Sequence, residues 1–154
     1  MPAYRFRKMK DEEAVEISGW HYEPPYDFYD ATSDPGDLQE LLDPKRRKED
    51  YFSVLDEDKI LVGFFQFERA GKTVDVGLGM RPDLTGQGRG LDYLLAGLEF
   101  ARRRFSPEGF TLSVATFNER AILVYERAGF RRGNEYTHNT NGGEYLFLSM
   151  AREA

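Results

Sequence analysis

The chain has 154 residues, 40% of them hydrophobic and 31% charged, enough for one domain that buries roughly two thirds of its unfolded surface. A net charge of −6 argues against general nucleic-acid binding, and no run approaches the roughly 18 apolar residues of a membrane span. With no cysteine and only His21 and His138, neither disulfides, nor a thiolate metal site, nor a cysteine nucleophile is available; the expectation is a metal-free cytoplasmic protein without membrane or nucleic-acid partners.

Tyr4 and Phe6 alternate with Arg5 and Arg7, which predicts a first strand over residues 3–8 with no apolar signal-peptide core. Asp11-Glu12-Glu13 place acid where a helix dipole favours it, so a short helix is expected to about Trp20. Pro24 and Pro25 then forbid a continuous helix through Trp20 to Asp30. Five aromatics among these eleven residues must pack against something, either as a lid over the core or as the wall of a pocket. Leu38, Leu41 and Leu42 predict a second short helix, ended by Asp43-Pro44, and the basic run Lys45 to Lys48 reads as a solvated face. Tyr51 to Leu55 and Ile60 to Phe67 read as strands flanking a hairpin turn at residues 56–59, the second apolar on both faces as a central strand should be. A further strand is expected over residues 73–80, where Gly77 and Gly79 suggest a bulge or close backbone approach by a ligand.

That strand leads into Thr85-Gly86-Gln87-Gly88-Arg89-Gly90-Leu91, after which Leu94, Leu95, Leu98 and Ala101 recur at helical spacing. A strand, a glycine-rich turn and a helix start gather unpaired backbone N–H groups and the positive end of a helix dipole, a ready site for a pyrophosphate. Gly86, Gly88 and Gly90 remove Cβ atoms from it, and Arg89 and Arg81 add charge. The Walker pattern fails, because Leu91-Asp92 stand where Lys-Ser or Lys-Thr is needed; the Rossmann fingerprint fails because Leu91 occupies its third glycine position. Residues 85–90 fit Gln/Arg-x-x-Gly-x-Gly/Ala at Gly88 and Gly90 but depart at the first position, where Thr85 stands for Gln or Arg; the departure touches one side-chain contact and leaves the backbone cradle intact. Farther on, Phe110 to Thr116 reads as a strand, Asn118 to Arg127 as a helix closed by Gly129, and Phe130 onward as a terminal hairpin turning within residues 139–143. Residues 118–130 match Asn-x-x-Ala-x-x-x-Tyr-x-x-x-Gly-Phe at every fixed position: Asn118, Ala121, Tyr125, Gly129 and Phe130.

With these two signatures the chain resembles the Gcn5-related N-acetyltransferase (GNAT) superfamily, nearest its ribosomal-protein alanine acetyltransferase-like branch. The resemblance implies a single α+β domain over residues 1–154, with a mixed, mostly antiparallel sheet of about seven strands flanked by about four helices. It implies acetyl-CoA as cosubstrate, no metal, and direct acetyl transfer to a primary amine of a small molecule or protein. The pyrophosphate would be gripped by Thr85, Gly86, Gln87, Gly88, Arg89, Gly90 and Leu91, and the pantetheine arm by the backbone of Leu78, Gly79 and Met80. Asn118 would approach the coenzyme as well as cap its helix, and Tyr125 would protonate the departing thiolate, its alternative being a core aromatic. The branch places a glutamate twelve residues before this tyrosine; here that position is Ser113, which cannot be a base at neutral pH. Asp75, on the strand before the glycine turn, is the candidate base, its alternative being a surface aspartate, and Glu23, Asp27 or a water chain could serve instead. Trp20, Tyr22, Glu23, Tyr26 and Asp27 would line the acceptor pocket, with Asp30 as a further carboxylate and the 138–144 loop as a further wall. The terminal hairpin offers an edge for a homodimer. A reading from another class is a sensor that holds acetyl-CoA and transfers nothing, which the serine at position 113 favours.

Overall fold

Seven strands form in the computed structural model, which describes residues 3–47 and 50–154. They are β1 (Arg5–Lys8), β2 (Tyr51–Leu55), β3 (Leu61–Ala70), β4 (Thr73–Met80), β5 (Gly109–Ala115), β6 (Arg131–Thr140) and β7 (Gly143–Glu153). One sheet takes them in the order β1-β2-β3-β4-β5-β7-β6. Every pairing is antiparallel except that of β4 with β5. The helices are α1 (Asp11–Ser18), α2 (Pro35–Leu42), α3 (Pro44–Arg47), α4 (Gly90–Phe105) and α5 (Glu119–Arg127), with 3-10 turns at Tyr26–Tyr29, Ala31–Ser33 and Pro82–Leu84. The mixed α+β architecture and the strand count agree with expectation; the extra helix is α3, a single turn that restarts after Asp43.

Strand alternation divides the core between the two faces of the sheet. Phe65 and Phe67 of β3 pack with Leu94, Leu98 and Ala101 of α4, while Phe64 turns to the opposite face, towards Ile17, Trp20, Leu41 and Tyr51. That is why β3 is apolar on both sides. Close packing also explains Gly97 within α4: a Cβ there would lie 2.2 Å from the Phe65 ring.

Local chemistry sets the helix starts. The Asp34 carboxylate accepts from the Asp37 N–H at 3.1 Å, with Pro35 at the first helical position, so α2 begins two residues before the expected Asp37. Asn118 caps α5 by accepting from the Ala121 N–H at 3.2 Å. The β6–β7 turn falls at Asn141-Gly142, both at positive φ, as a two-residue hairpin requires.

Two expectations are corrected. The β3–β4 ladder runs without a register shift from Gly63↔Met80 to Ala70↔Thr73, so no bulge sits at Gly77 or Gly79. Gly79 instead makes room for the Phe64 ring, 2.4 Å from where its Cβ would stand. The basic run is not wholly a solvated face either: Arg47 is buried, donating to the Leu41 carbonyl and the Asp11 carboxylate, which ties α3 to α1 and α2. Lys48 lies outside the described residues.

Candidate functional site

The parallel pairing of β4 with β5 covers only Thr73 to Asp75 against Gly109 to Thr111. Beyond it, β5 stays with β7 and β4 stays with β3, so the two strands diverge and leave a gap in the sheet. The Arg81 N–H donates to the Val62 carbonyl at 2.8 Å, which makes Arg81↔Val62 a hydrogen-bonded pair. By antiparallel alternation Gly79 then bonds towards β3, while Leu78 and Met80 turn their N–H and C=O groups into the gap. The Met80 carbonyl accepts from the Tyr22 hydroxyl at 2.7 Å. Of the three backbone positions expected to meet a ligand arm, the gap therefore receives Leu78 and Met80.

At the open end of the gap β4 passes into the Pro82–Leu84 turn and the glycines. The Thr85 hydroxyl donates to the Pro82 carbonyl at 2.8 Å and the Gln87 amide to the Asp83 carbonyl at 2.7 Å, so these two side chains hold the turn itself. Gly86 and Gly88 sit at φ +71° and +74°, where an L side chain is strained. Nothing lies within 4 Å of a Cβ built on Gly88, so conformation rather than space demands glycine there. Gly90 opens α4 against Val124 of α5, 3.4 Å from its Cβ position. The first α4 bond from outside the helix runs from the Tyr93 N–H to the Arg89 carbonyl at 3.0 Å, leaving the preceding N–H groups of the first turn without helical acceptors. Leu91 packs on the core while its N–H belongs to that turn. A loop that is exposed from Gly86 to Arg89, rich in free donors and at the positive end of a 16-residue helix, suits an anion.

Across the gap stands α5. Tyr125 is partly buried, with its ring edge-on to Phe130 at 6.2 Å, and burial together with nearby Tyr29 pushes its hydroxyl well above the usual phenol range. The hydroxyl is a proton donor at neutral pH. The Asn118 side chain serves twice: its oxygen caps α5 and its amide donates to the Tyr29 hydroxyl at 3.2 Å.

A cleft of about 490 Å³ runs from Thr85 and Arg120 beside the glycine turn, over the gap and Tyr125, to α2 and the tip of β6. Trp20, Tyr22, Tyr26, Asp30, Ser113 and His138 line it. Asp30 accepts from the Tyr22 N–H and pairs with His21, each at 2.9 Å. Phe28 packs edge-on against Tyr145 at 4.7 Å, and its carbonyl accepts from the Asn141 amide at 2.7 Å, so the hairpin tip holds the aromatic segment closed.

Other expected residues stand elsewhere. Glu23 and Asp27 are exposed and outside the lining. Asp75 lies where β4 still pairs with β5, accepts from the Thr111 hydroxyl at 2.7 Å, and is also outside the lining. Arg89 and Arg81 face a smaller cavity of about 220 Å³, shared with Asp56, Glu57 and Asp58. Sequence reading missed Asp37, Glu40 and Arg120. Asp37 and Glu40, three apart on α2, reach the cleft together, and helical spacing was the signal available for them. Burial, with Asp34 second, raises the Asp37 carboxyl to about 6; Glu40 accepts from the Tyr51 hydroxyl at 2.8 Å. Among the described residues no three His, Asp or Glu are grouped to hold a metal, and no helix is long and apolar enough to cross a membrane.

Residues 2–131 match the acetyltransferase (GNAT) domain. No curated protein matches. Among solved structures, a GNAT-family acetyltransferase from Bacillus anthracis superposes with a TM-score of 0.76 at 16% identity, covering 97% of this chain and 94% of that one. A spermidine N-acetyltransferase from Vibrio cholerae in complex with CoA and spermine gives 0.76 at 18%, covering 97% and 95%. A dodecameric form of the Vibrio enzyme gives 0.71 at 18%, covering 97% and 93%. At such identities the superpositions show the shared fold. The domain match is broader evidence, since it takes in the glycine turn and the helix bearing Tyr125 along with most of the sheet, and on it the chain belongs to the GNAT acetyltransferase family.

Proposed function

We propose that the chain is an acetyl-CoA-dependent N-acetyltransferase of the cytoplasm that transfers acetyl directly to a primary amine of a small cationic acceptor. The observation that carries this is the gap between β4 and β5, which opens between a donor-rich glycine turn and the Tyr125 hydroxyl. The turn from Thr85 to Leu91 suits the pyrophosphate, and the gap-facing groups of Leu78 and Met80 suit the amides of the pantetheine arm. The acceptor nitrogen attacks the thioester carbon, the C–S bond breaks, and Tyr125 gives its proton to the thiolate sulfur. A backbone N–H of β4 stabilises the developing oxyanion.

The amine must lose a proton before it attacks. Asp75 is bonded to Thr111 outside the cleft lining, which speaks against the base role expected for it. Asp37, with its carboxyl raised to about 6, suits receipt of that proton through water at neutral pH. Asp30, Asp37 and Glu40 on the cleft wall, and the spermidine acetyltransferase neighbours, support a small polycationic amine. Ser113, where the alanine acetyltransferase-like branch has glutamate, counts against a protein N-terminus. The exposed β6 edge supports pairing of two copies of the chain.

The test is Tyr125→Phe. Turnover, followed as thiol release from acetyl-CoA and free of background in a cysteine-free chain, should fall by about 10²-fold or more, while calorimetric affinity for acetyl-CoA changes little. Undiminished turnover in the variant would remove Tyr125 from the reaction.

A further inference from the structure

Arg120 is the second residue of α5, exposed at the mouth of the cleft. Its guanidinium lies 4.1 Å from the ring centroid of Tyr26, and Nη1 is 3.5 Å from the position of a Cβ on Gly86. Among the described residues it takes part in no ion pair. An unpaired planar cation beside a turn of free N–H groups is arranged for a phosphate oxygen. Arg89, the cation the sequence suggests for this purpose, faces the smaller cavity, where an anion would meet Asp56, Glu57 and Asp58. The other end of the Tyr26–Tyr29 turn is tied to the same helix start, through the Asn118 amide and the Tyr29 hydroxyl. The first residues of α5 therefore touch both the glycine turn and the aromatic wall of the cleft.

We infer that Arg120 meets the coenzyme pyrophosphate at the glycine turn, and that Tyr26, stacked beneath it, is its positioning residue, so that coenzyme occupancy orders the acceptor loop. This rests on the acetyl-CoA reading above. Stacking holds a long side chain near its working geometry before the coenzyme arrives, which lowers the ordering cost of binding. Coupling is reciprocal: a loop ordered by coenzyme presents a better acceptor wall, and an acceptor that orders the loop tightens the coenzyme.

The experiment is calorimetry with CoA and with 3′-dephospho-CoA on the wild type, Arg120→Ala, Tyr26→Leu and Tyr26→Phe, together with hydrogen exchange of residues 22–30. Arg120→Ala should weaken both ligands alike by about tenfold. Tyr26→Leu should weaken both by about threefold, although it removes no charge, and Tyr26→Phe should bind as the wild type does. CoA should protect residues 22–30 in the wild type and leave them unprotected in Arg120→Ala. Equal binding by Arg120→Ala and the wild type, a loss confined to CoA, or full loop protection without Arg120 would overturn the inference. Failure of the wild type to bind either ligand would instead overturn the acetyl-CoA reading itself.

Discussion

The Asp37 carboxyl on the cleft wall links stability to pH. Burial and the neighbouring Asp34 raise its carboxyl to about 6, so folding favours the protonated form. Its contribution to stability is therefore fully present at low pH and is lost as pH rises through 6. Asp37→Asn, neutral throughout, should stabilise the fold slightly at pH 7.5, by less than about 1 kcal/mol because the half-buried carboxyl is still partly open to solvent, and leave stability unchanged at about pH 3. Thermal melts at the two pH values check this. The same substitution should raise KM for a cationic amine, and the wild-type enzyme should lose acceptor affinity as pH falls below about 6, since only the carboxylate attracts an ammonium. An acceptor KM that ignores both the substitution and the pH would place the amine elsewhere. Tyr125 is the complementary case: burial keeps its proton on, which is the state a general acid needs.

The glycine turn and the elements beside it divide into what sequence can and cannot reveal. Gly88 stands at φ +74° with open space around it, so Gly88→Ala carries only the backbone strain of a left-handed residue, about 1–2 kcal/mol, without a clash. Relaxing that strain would turn the loop N–H groups away from the anion; the variant should melt lower and also bind acetyl-CoA more weakly by calorimetry. Normal coenzyme binding after this change would mean that the turn's conformation does not matter to the ligand. The turn was legible because glycine spacing after a strand reports backbone conformation directly. Gly79 was not. Its glycine looks the same in sequence whether it serves a bulge, a ligand or a ring; the cross-strand register excludes the bulge and sets the Phe64 ring against it. Arg47 failed for a related reason: charge predicts solvent, but a carbonyl at Leu41 and a carboxylate at Asp11, 36 residues away, supply it with partners in the interior.

At the scale of the whole molecule, the fold was legible because two local signatures and the strand order agree, and local patterns determine secondary structure well. The cleft wall was legible only by segment. Trp20, Tyr22 and Tyr26 reach the cleft, but Glu23 and Asp27 point away, while Asp37 and Glu40 arrive from the following helix α2 and Arg120 from α5, far along the chain. Spacing on α2 puts Asp37 and Glu40 on one face, but which face turns inward depends on how α1, α2 and the β6–β7 hairpin close over the sheet. The divergence of β4 from β5 is likewise a property of the assembled sheet, because it requires β5 to follow β7 rather than β4. The glycine turn, Tyr125 and the acidic wall meet around that gap. The most direct test of the account is mass spectrometry of amines incubated with the protein and acetyl-CoA, using spermidine, simple monoamines and peptides with free N-termini. Acetylated spermidine that disappears with Tyr125→Phe is the predicted result; saturable acetyl-CoA binding with no acetylated product from any amine would contradict it and make the chain a sensor.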